Sequence, residues 1–422
     1  MLRFGTDGIR GIVGVDFSER DIFQCGAALK KSQVIVGCDT RFSSPQLKKA
    51  FCDGVMASNG SVIDVGVCPT PMVAYLTRKL HADFGAMITA SHNAIQYNGI
   101  KLFNFFGEKI SRGKERQIER SKERVYKAST MSFPVDMSSV YINFLTSCVN
   151  QRFKRLSVVL DCANGAMSKF APQAFALLGA DVFTLNSTPN GRNINYRCGS
   201  THIIEVQKIT QEIGADLGFA FDGDVDRVIA VDKHGRIYDG DVLMYIYATQ
   251  TLKPGDMVVG TKLTNLAIEQ ALIRHKIALI RANVGDKYVA NIMKKHHLRV
   301  GGEQSGHILL REYLPTGDGL LTALKIAEIC VKNKRCLADF IDFEAYHQAK
   351  ANINVENFER VLSNKEFIRT IKTFRRKLFD GRIVVRKSGT EPVIRVMVEA
   401  KGKKTAVAIC GKITNLVKSV IM

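Results

Sequence analysis

The sequence predicts three similar α/β domains followed by a smaller α+β domain. A length of 422 residues allows about three domains, and four are also compatible with it. Short apolar strands alternate with helical segments in three successive rounds, and the last part of the chain departs from this order. Hydrophobic residues make up 46% of the chain and charged residues 24%, as in ordinary globular proteins.

The first round shows the pattern most clearly. The strand "QVIVGCD" is followed by Ser44 and Pro45, an N-cap and first-turn pair that predicts a helix running toward Asn59 and Gly60. The strands "SVIDVGV" and "FGAMIT" follow. Strands separated by helices predict a mostly parallel sheet covered by helices.

The later rounds repeat this order, and the tail changes it. The second round has the strands "LSVVLDC", "DVFTLN" and "ADLGFAF", and the third has "DMVVGTK", "ALIRAN" and "LRVGGEQS". The tail has the strands "ANINV", "RIVVRKS" and "VIRVMVEA", with helices near residues 365–378 and 403–419. We expect domains at residues 1–146, 147–240, 241–350 and 351–422.

The bulk composition narrows the class of protein. Ten cysteines stand as singles, without C-x-x-C pairs, which predicts reduced and mostly buried thiols. No apolar run is long enough to cross a membrane, and the start "MLRFGTDGIRG" lacks the apolar core of a signal peptide. We therefore expect a cytoplasmic protein.

The net charge of +20 fits either a nucleic-acid binder or an enzyme for acidic small molecules, and a basic proteome background would also produce it. In the densest charge run, "SRGKERQIERSKERVYK", arginines and glutamates alternate at helical spacing. Opposite charges three or four residues apart on a helix pair with each other, so we interpret the run as a solvated face.

"MITASHNAIQYNGIK" places Ser91 just beyond the carboxyl end of a predicted strand, where parallel sheets bind ligands. A serine hydrolase would use Ser91 with His92, but the stretch is not a G-x-S-x-G elbow. An extended turn would also point His92 away from its neighbour. Ser91 is otherwise a phosphate-carrying hydroxyl or a plain turn residue.

"FDGDVDR" places Asp222, Asp224 and Asp226 directly after an apolar strand. In an extended backbone, alternate residues point to one side, so three carboxylates converge. A hard divalent cation would relieve their repulsion, and ligation by oxygen alone favours Mg²⁺. An EF-hand is excluded because Arg227 and Lys233 occupy the positions that require glycine and glutamate.

Three further segments carry polar groups on turns. "RKSGTEP" supplies the parts of an anion cradle, a guanidinium, two hydroxyls and a glycine turn, with Arg395 on the next strand. It is not a Walker loop, and taken alone it is either a phosphate site or a plain turn. "GGEQSGH" offers Glu303 and Ser305 for sugar hydroxyls, and "FGTDGIRG" is a glycine-rich loop carrying Arg10.

Taken together and in this order, the five segments resemble those of the α-D-phosphohexomutase superfamily, most closely its bacterial phosphoglucosamine mutase branch. The resemblance covers nearly the whole chain and implies four domains around a central cleft. The sequence departs from the usual pattern of the family at Ala94 and Lys387, where proline is usual, and at Val225, where glycine is usual. The chain is also shorter than is usual before Ser91, near residues 20–33. We expect Val225 to exclude a positive φ at that point.

The resemblance also implies a role for each site residue. It implies that phosphorylated Ser91 exchanges the phosphoryl group, that Lys101 is the general acid/base, and that Arg10 and Arg227 lie near the reacting group. Mg²⁺ would be held by Ser91, Asp222, Asp224 and Asp226. The substrate would be bound by Glu303, Ser305, Arg386, Ser388, Gly389, Thr390 and Arg395.

The implied activity is that of an isomerase that interconverts glucosamine 6-phosphate and glucosamine 1-phosphate through a sugar bisphosphate. This reaction would feed UDP-N-acetylglucosamine and cell-wall precursor synthesis. A phosphoglucomutase or phosphomannomutase of the same superfamily is the alternative. We expect a phosphorylated hexosamine as the partner, with neither nucleic acid nor membrane, and a homodimer stays open. Lys101 would need a lowered pKa to accept a proton.

Overall fold

The computed structural model describes residues 3–5, 7–121, 134–355, 357–388 and 392–421. These residues form two compact units. Unit 1 comprises residues 1–251 and 285–341, and unit 2 comprises residues 252–284 and 342–422. The domain boundaries near residues 146, 240 and 350 stay predictions.

The first sheet of unit 1 has five strands in the order β1-β5-β4-β2-β3. Its elements, with the helices that cover it, are β1 (Ile9–Ile12), α1 (Glu19–Ala27), β2 (Gln33–Cys38), α2 (Ser44–Ala57), β3 (Ser61–Val67), α3 (Thr70–Lys79), β4 (Phe84–Ile88), β5 (Tyr97–Asn104), α4 (Arg112–Arg120) and α5 (Ser138–Ser147). The apolar strands predicted from the sequence are present. The cap of α2 differs, because Ser43 is its N-cap and the Ser44 hydroxyl donates instead to Asp39.

This sheet is mixed rather than mostly parallel. Strand β2 pairs in parallel with β3 and β4, as expected, whereas β5 is antiparallel to both β4 and β1. The sequence "YNGIKLFN" follows β4 after a short connection, and a short connection allows only an antiparallel neighbour. This hairpin brings Lys101 back to the strand end that carries Ser91.

The second sheet of unit 1 repeats the design. Its order is β10-β9-β8-β6-β7, with β6 parallel to β7 and β8, and β9 antiparallel to its neighbours. Its elements are β6 (Ser157–Asp161), α6 (Met167–Leu178), β7 (Asp181–Leu185), α7 (Ile204–Glu212), β8 (Leu217–Phe221), β9 (Val228–Asp232) and β10 (Ile237–Tyr238). Every residue of β8 and β9 is buried, so the turn that joins these two strands starts and ends in the core.

The next part of the chain contributes to both units. Unit 1 takes α8 (Gly240–Thr251); unit 2 takes β11 (Met257–Thr261), α9 (Leu266–Arg274) and β12 (Ala278–Ala282); unit 1 then takes α10 (Asp286–Lys295), β13 (Val300–Gly302), β14 (Ile308–Leu310) and α11 (Gly319–Asn333). Strands β11 and β12 are parallel, and β13 and β14 form an antiparallel hairpin. The loop of that hairpin carries Glu303 and Ser305.

The tail of unit 2 is the α+β segment that the sequence predicts. It comprises β15 (His347–Asn354), α12 (Phe358–Leu362), α13 (Lys365–Lys377), β16 (Gly381–Lys387), β17 (Val393–Ala400) and α14 (Lys403–Ile421). The three strands form an antiparallel sheet in the order β15-β17-β16. Alternate strand residues such as Ile394, Val396 and Val398 pack against the buried faces of α13 and α14, which gives this segment its own core.

Two predictions about side chains can be compared with the structure. All ten cysteines are free thiols, and nine are buried, which confirms the prediction for them. The charge run is only partly solvated, because Glu115 on α4 is buried and accepts from Lys287 at 2.6 Å. Glu123 and Arg124 lie outside the described residues. Among the residues described, no helix is both long and apolar enough to span a membrane.

Candidate active site

Ser91 lies three residues beyond β4, at the edge of the first sheet. Its backbone is left-handed, with φ of 53°, and its side chain is fully buried. The hydroxyl donates to Oδ2 of Asp222 at 2.6 Å and lies 3.5 Å from Oδ1 of Asp226. The nucleophile candidate and the acidic candidates, which are 131 residues apart in sequence, are therefore in contact.

The three aspartates form one buried cluster, which we call the acidic trio (Asp222, Asp224 and Asp226). At most 2% of any of them is exposed, and one carboxylate oxygen from each lies within 4.8 Å of the others. Burial raises the pKa of Asp222 well above its usual range, and the charges of Asp226 and Asp224 raise it further. Burial also raises the pKa of Asp226, but Lys101 and His307 outweigh it and hold that pKa well below its usual range.

The carboxylates converge for a different reason from the one that the sequence suggests. The segment after β8 is a turn and not an extended strand, with the Val225 amide donating to the Asp222 carbonyl at 3.2 Å. Val225 has φ of 68°, so the expectation that it excludes a positive φ is wrong. Its amide and carbonyl are both bonded, the carbonyl to the Gly319 amide at 2.9 Å, and these bonds hold a β-branched residue in a conformation that normally favours glycine.

We expect Val225→Gly to destabilise the protein less than Val231→Gly. Both side chains are fully buried, so both variants lose a similar amount of apolar burial, but only the first relieves a left-handed valine. That relief should make the loss of unfolding free energy smaller by about 1–3 kcal/mol. Urea unfolding of the two variants measures the difference. Equal losses would show that the turn holds Val225 without strain.

Lys101 lies on β5 opposite Met87 of β4, and its side chain enters the acidic trio. Its ammonium donates to Oδ2 of Asp224 at 2.7 Å and to Oδ2 of Asp226 at 2.5 Å, and it is 3.3 Å from Asp7. Burial alone would lower the pKa of Lys101, but the attraction of these carboxylates outweighs it and raises the pKa well above its usual range. The lowered pKa expected from the sequence is thus not found in this arrangement.

His92 is closer to Ser91 than an extended turn would allow. Because Ser91 is left-handed, the imidazole Nδ1 lies 3.4 Å from the Ser91 hydroxyl. Burial, together with the charges of Arg227 and Arg10, lowers the pKa of His92 to about 3. A histidine whose protonated form is this unfavourable is a weak general base, so a serine hydrolase remains a poor interpretation.

The two predicted arginines contact different residues of the site. Arg10, on β1, pairs with Asp7 and reaches the Asn93 side chain at 3.3 Å. Arg227 follows the trio, with Nε 3.7 Å from Asp226 and its backbone amide donating to Asp222. Burial disfavours the charged form of Arg227, but Asp226 and Asp222 outweigh it and raise its pKa. The charges of both arginines act on His92, the neighbour of Ser91.

Several residues of this site were not predicted. Asp7 and Asp286 both pair with Lys109, and His307 lies 3.3 Å from Asp286 and 3.7 Å from Asp226. Thr70, at the start of α3, donates to Asp224 at 2.5 Å. The motifs that contain Asp7 and His307 were recognised, but nothing local in the sequence distinguishes these two side chains from their neighbours.

Glu303 and Ser305 lie on the β13–β14 loop of unit 1. Glu303 accepts from the Gly285 amide at 2.8 Å, and burial together with the charge of Asp286 raises its pKa. Ser305 is exposed. The bond to the Gly285 amide fixes the orientation of Glu303 at the start of α10. The contact of Glu303 and Ser305 with a sugar stays a prediction.

The phosphate-loop residues lie in unit 2. Arg386 on β16 and Arg395 on β17 are cross-strand partners, so both guanidinium groups lie on one face of the sheet. The buried Ser388 follows, with its amide donating to the Val393 carbonyl at 2.9 Å. Gly389 and Thr390 lie outside the described residues. Two like charges directly opposite each other on a sheet repel, so an anion bound between them would be stabilising.

Four family models match the chain in succession. Three describe α/β/α domains I, II and III of phosphoglucomutase/phosphomannomutase and match residues 1–129, 139–235 and 239–346. The fourth describes the C-terminal domain and matches residues 345–416. The chain belongs to the α-D-phosphohexomutase superfamily. The predicted fold class, three similar α/β domains and a C-terminal domain, is confirmed by this membership.

Comparison with curated relatives identifies the branch of the superfamily to which this phosphohexomutase belongs. It is 40% identical to the phosphoglucosamine mutase of Clostridium kluyveri over 94% of each chain. It is also 40% identical to that of Limosilactobacillus fermentum, over 99% of this chain and 98% of the relative. The chain is thus an isomerase of the phosphoglucosamine mutase branch, as the resemblance implied.

Solved structures agree on the fold at lower identity. A phosphoglucomutase/phosphomannomutase family protein from Burkholderia thailandensis has a TM-score of 0.86 at 22% identity, covering 100% of this phosphohexomutase and 98% of that chain. Aspergillus fumigatus N-acetylphosphoglucosamine mutase, solved with GlcNAc-6P and magnesium, has a TM-score of 0.73 at 16% identity, covering 100% and 96%.

The acidic trio of this phosphohexomutase could hold a metal ion. Its three carboxylates offer only oxygen donors, the ligands that hard divalent cations prefer. Within the described residues, Oδ1 of the buried Asp224 has no hydrogen-bond partner. A buried carboxylate oxygen without a donor is costly, and a cation at the trio would satisfy it. The residues present therefore fit the metal that the family implies.

Proposed function

We propose that this protein interconverts glucosamine 6-phosphate and glucosamine 1-phosphate through phosphorylated Ser91. The observation that carries the proposal is the contact of a fully buried Ser91 hydroxyl with the acidic trio, 2.6 Å from Asp222. A phosphate on that oxygen would meet whatever cation the trio binds. The 40% identity to phosphoglucosamine mutases supports the amino sugar as substrate.

The proposed reaction has two phosphoryl transfers. In the first, the Oγ–P bond of phosphorylated Ser91 breaks, a bond from phosphorus to O1 of the sugar forms, and O1 loses its proton while Oγ gains one. The resulting bisphosphate reorients. In the second, the bond from phosphorus to O6 breaks and a bond from phosphorus to Oγ of Ser91 forms, while Oγ loses its proton and O6 gains one, so that glucosamine 1-phosphate leaves. Such transfers require mainly alignment and charge stabilisation from the protein.

The acidic trio would hold Mg²⁺, with an oxygen of the Ser91 phosphate as a further ligand. When bound, Mg²⁺ would supply charge neutralisation for the transferring phosphoryl group. The A. fumigatus enzyme was solved with magnesium, which is the ion that three carboxylates also favour.

Cationic side chains of the protein would supply the remaining charge stabilisation and the proton transfer. Arg10 and Arg227 would stabilise charge on the phosphoryl oxygens. Lys101 would move the proton at the attacking hydroxyl. In the structure its carboxylate partners keep it protonated, so it could accept a proton only once those carboxylates are neutralised.

The remaining candidates would bind the parts of the substrate that do not react. Glu303 and Ser305 would bind sugar hydroxyls. Arg386 and Arg395, which share one face of their sheet, would bind the phosphate that is not reacting, together with Ser388, Gly389 and Thr390. Because the bisphosphate reorients, this cradle must accept either phosphate of the sugar.

A comparison of three substrates tests the proposal. We expect kcat/KM on glucosamine 6-phosphate to exceed that on glucose 6-phosphate and mannose 6-phosphate by at least about tenfold. The purified protein should carry one phosphate on Ser91, as measured by intact mass and peptide mapping. A preference for glucose or mannose phosphate would assign it to the alternative phosphoglucomutase or phosphomannomutase activity. No turnover on any of the three would refute a mutase.

A further inference from the structure

Arg41 is the largest side chain that the structure buries completely, and the mechanism above gives it no role. It follows β2 in the sequence "CDTRF". Its Nε donates to Oδ2 of Asp39 at 2.9 Å, and neither side chain of this ion pair is exposed. A buried guanidinium is retained only when its charge is paired and its donors are satisfied, so its remaining contacts are informative.

The other four N–H groups of Arg41 all donate to backbone carbonyls of one loop, residues 91–97. One terminal nitrogen donates to Ser91 at 2.9 Å and to Asn93 at 2.8 Å. The other donates to Ala94 at 2.6 Å and to Tyr97 at 3.0 Å. With the bond to Asp39, all five donors of the guanidinium are used, and four of them hold the loop that carries the nucleophile candidate.

Asn195 holds the same loop from the second α/β segment of unit 1. Its amide nitrogen donates to the Ser91 carbonyl at 2.8 Å and to the Asn93 carbonyl at 3.1 Å. These are the two carbonyls that one nitrogen of Arg41 also contacts. Asn195 is buried and has φ of 55°, a conformation that asparagine tolerates better than most residues.

The entry to the loop is fixed by the partner of Arg41. The hydroxyl of Thr89 donates to Oδ2 of Asp39 at 2.7 Å and accepts from the Ser91 amide at 2.8 Å. The amide and the carbonyl of Ser91 are thus both bonded into one network. A left-handed serine is unfavourable by itself, so it persists because its surroundings determine it.

From this geometry we propose that Arg41, assisted by Asn195, is a positioning residue that holds the Ser91 loop in its left-handed turn and so aims the Ser91 hydroxyl at the acidic trio. This inference rests on the proposed function. Among the described residues, no hydrogen bond joins the Arg41 side chain to the trio or to the Ser91 hydroxyl; apart from Asp39, its partners are backbone carbonyls. A flat fork with five donors is required, because a lysine at this position could satisfy at most three of the acceptors.

The test is Arg41→Lys, which keeps the charge beside Asp39 and removes the fork. We expect kcat on glucosamine 6-phosphate to fall by on the order of 100-fold, because a misplaced nucleophile loses alignment, while KM changes less than about threefold. The single-turnover rate at which phosphorylated Ser91 loses its phosphate to the sugar should fall in parallel. A kcat within twofold of the wild type, or a change confined to KM or to the melting midpoint, would overturn the inference.

Arg281→Lys is the matched control. Arg281 also combines a carboxylate, Glu269, with two backbone carbonyls, those of Thr261 and Thr264, so the variant removes an equivalent fork within unit 2. Its kcat should stay within twofold of the wild type. If kcat fell equally in both variants, general destabilisation would explain the loss of activity in Arg41→Lys, and the inference would be overturned.

Asn195→Gly keeps the proposal testable if Arg41→Lys does not fold. Glycine accepts the positive φ and removes only the amide that holds the two carbonyls. We expect kcat to fall about tenfold with KM little changed, since the Arg41 contacts remain. An unchanged kcat in a folded Asn195→Gly would overturn the shared role of these residues. The wild type separates the two hypotheses, because its failure to turn over glucosamine 6-phosphate refutes the proposed function itself.

Discussion

Replacing Ser91 by alanine should abolish turnover and leave the fold intact. The proposed mechanism transfers the phosphoryl group through the Ser91 hydroxyl, which alanine lacks, so kcat should fall by on the order of 10⁵-fold or more. The Ser91 side chain is fully buried, and its removal loses the bond to Asp222. That loss should lower the free energy of unfolding by about 1 kcal/mol. Steady-state assay, intact mass and urea unfolding measure the three effects.

Thr210→Val is the control for this variant. Thr210 is also fully buried, and its hydroxyl donates to the Val206 carbonyl within α7, outside the candidate site. It should lose a similar amount of stability and keep its activity. Turnover by Ser91→Ala at a rate near that of the wild type would refute the assignment of the nucleophile, as would phosphate found on another residue of the active enzyme.

Removal of divalent cations should silence the enzyme, and Mg²⁺ should restore it. The acidic trio is buried, and its three carboxylates face only partial compensation by Lys101 and Arg227. A chelator should therefore reduce turnover below about 1% of the starting value, since the lost electrostatic stabilisation amounts to several kcal/mol. Mg²⁺ should also raise the melting midpoint of the wild type, because a ligand of the native state stabilises it.

Asp224→Asn should lose both responses to Mg²⁺, because it replaces the carboxylate whose Oδ1 lacks a partner in the described structure. Asp232→Asn is the matched control. Asp232 is equally buried, but it accepts hydrogen bonds from a backbone amide of the β9–β10 turn and from the Tyr238 hydroxyl. This variant should keep the Mg²⁺-dependent shift of the melting midpoint. Wild-type or Asp232→Asn turnover that is indifferent to chelation would refute the metal assignment.

The acidic trio was predictable from sequence because its three members are local to one another, but the reason for their convergence was not. Alternation in a strand would place the carboxylates on one side, whereas the structure uses a tight turn with Val225 left-handed. Both geometries bring Asp222 and Asp226 together. Only the second depends on hydrogen bonds to Gly319, a residue 94 positions further on that no local pattern connects with the turn.

The sequence identified Lys101 as a site residue, but it did not predict which residues Lys101 contacts. Its approach to Asp224 and Asp226 depends on β5 returning antiparallel to β4, while the alternation of strands and helices suggested parallel pairing. Asp286 and His307 were missed for a similar reason. They are distant in sequence from the aspartates, and single acidic or histidine residues on loops are too common to identify a site.

The roles of Arg41 and Asn195 illustrate a further limit. Both side chains donate to backbone carbonyls, which every residue possesses. The residue types in the Ser91 loop therefore give almost no indication that Arg41 and Asn195 contact it. Ala94, which stands where the family usually has proline, offers its carbonyl to Arg41 as a proline would. The substitution therefore leaves this contact intact.

The hairpin of β4 and β5 also constrains how this segment can vary in length. Met87 faces Lys101, and residues 89–96 form the connection between the strands. Because neighbouring strand residues point to opposite faces, an insertion or deletion that slipped the pairing by one position would turn the lysine away from the aspartates. Gain or loss of residues should be tolerated in other parts of this sheet, and residues 20–33, where we expect the chain to be shorter than is usual, lie around α1 and outside the hairpin.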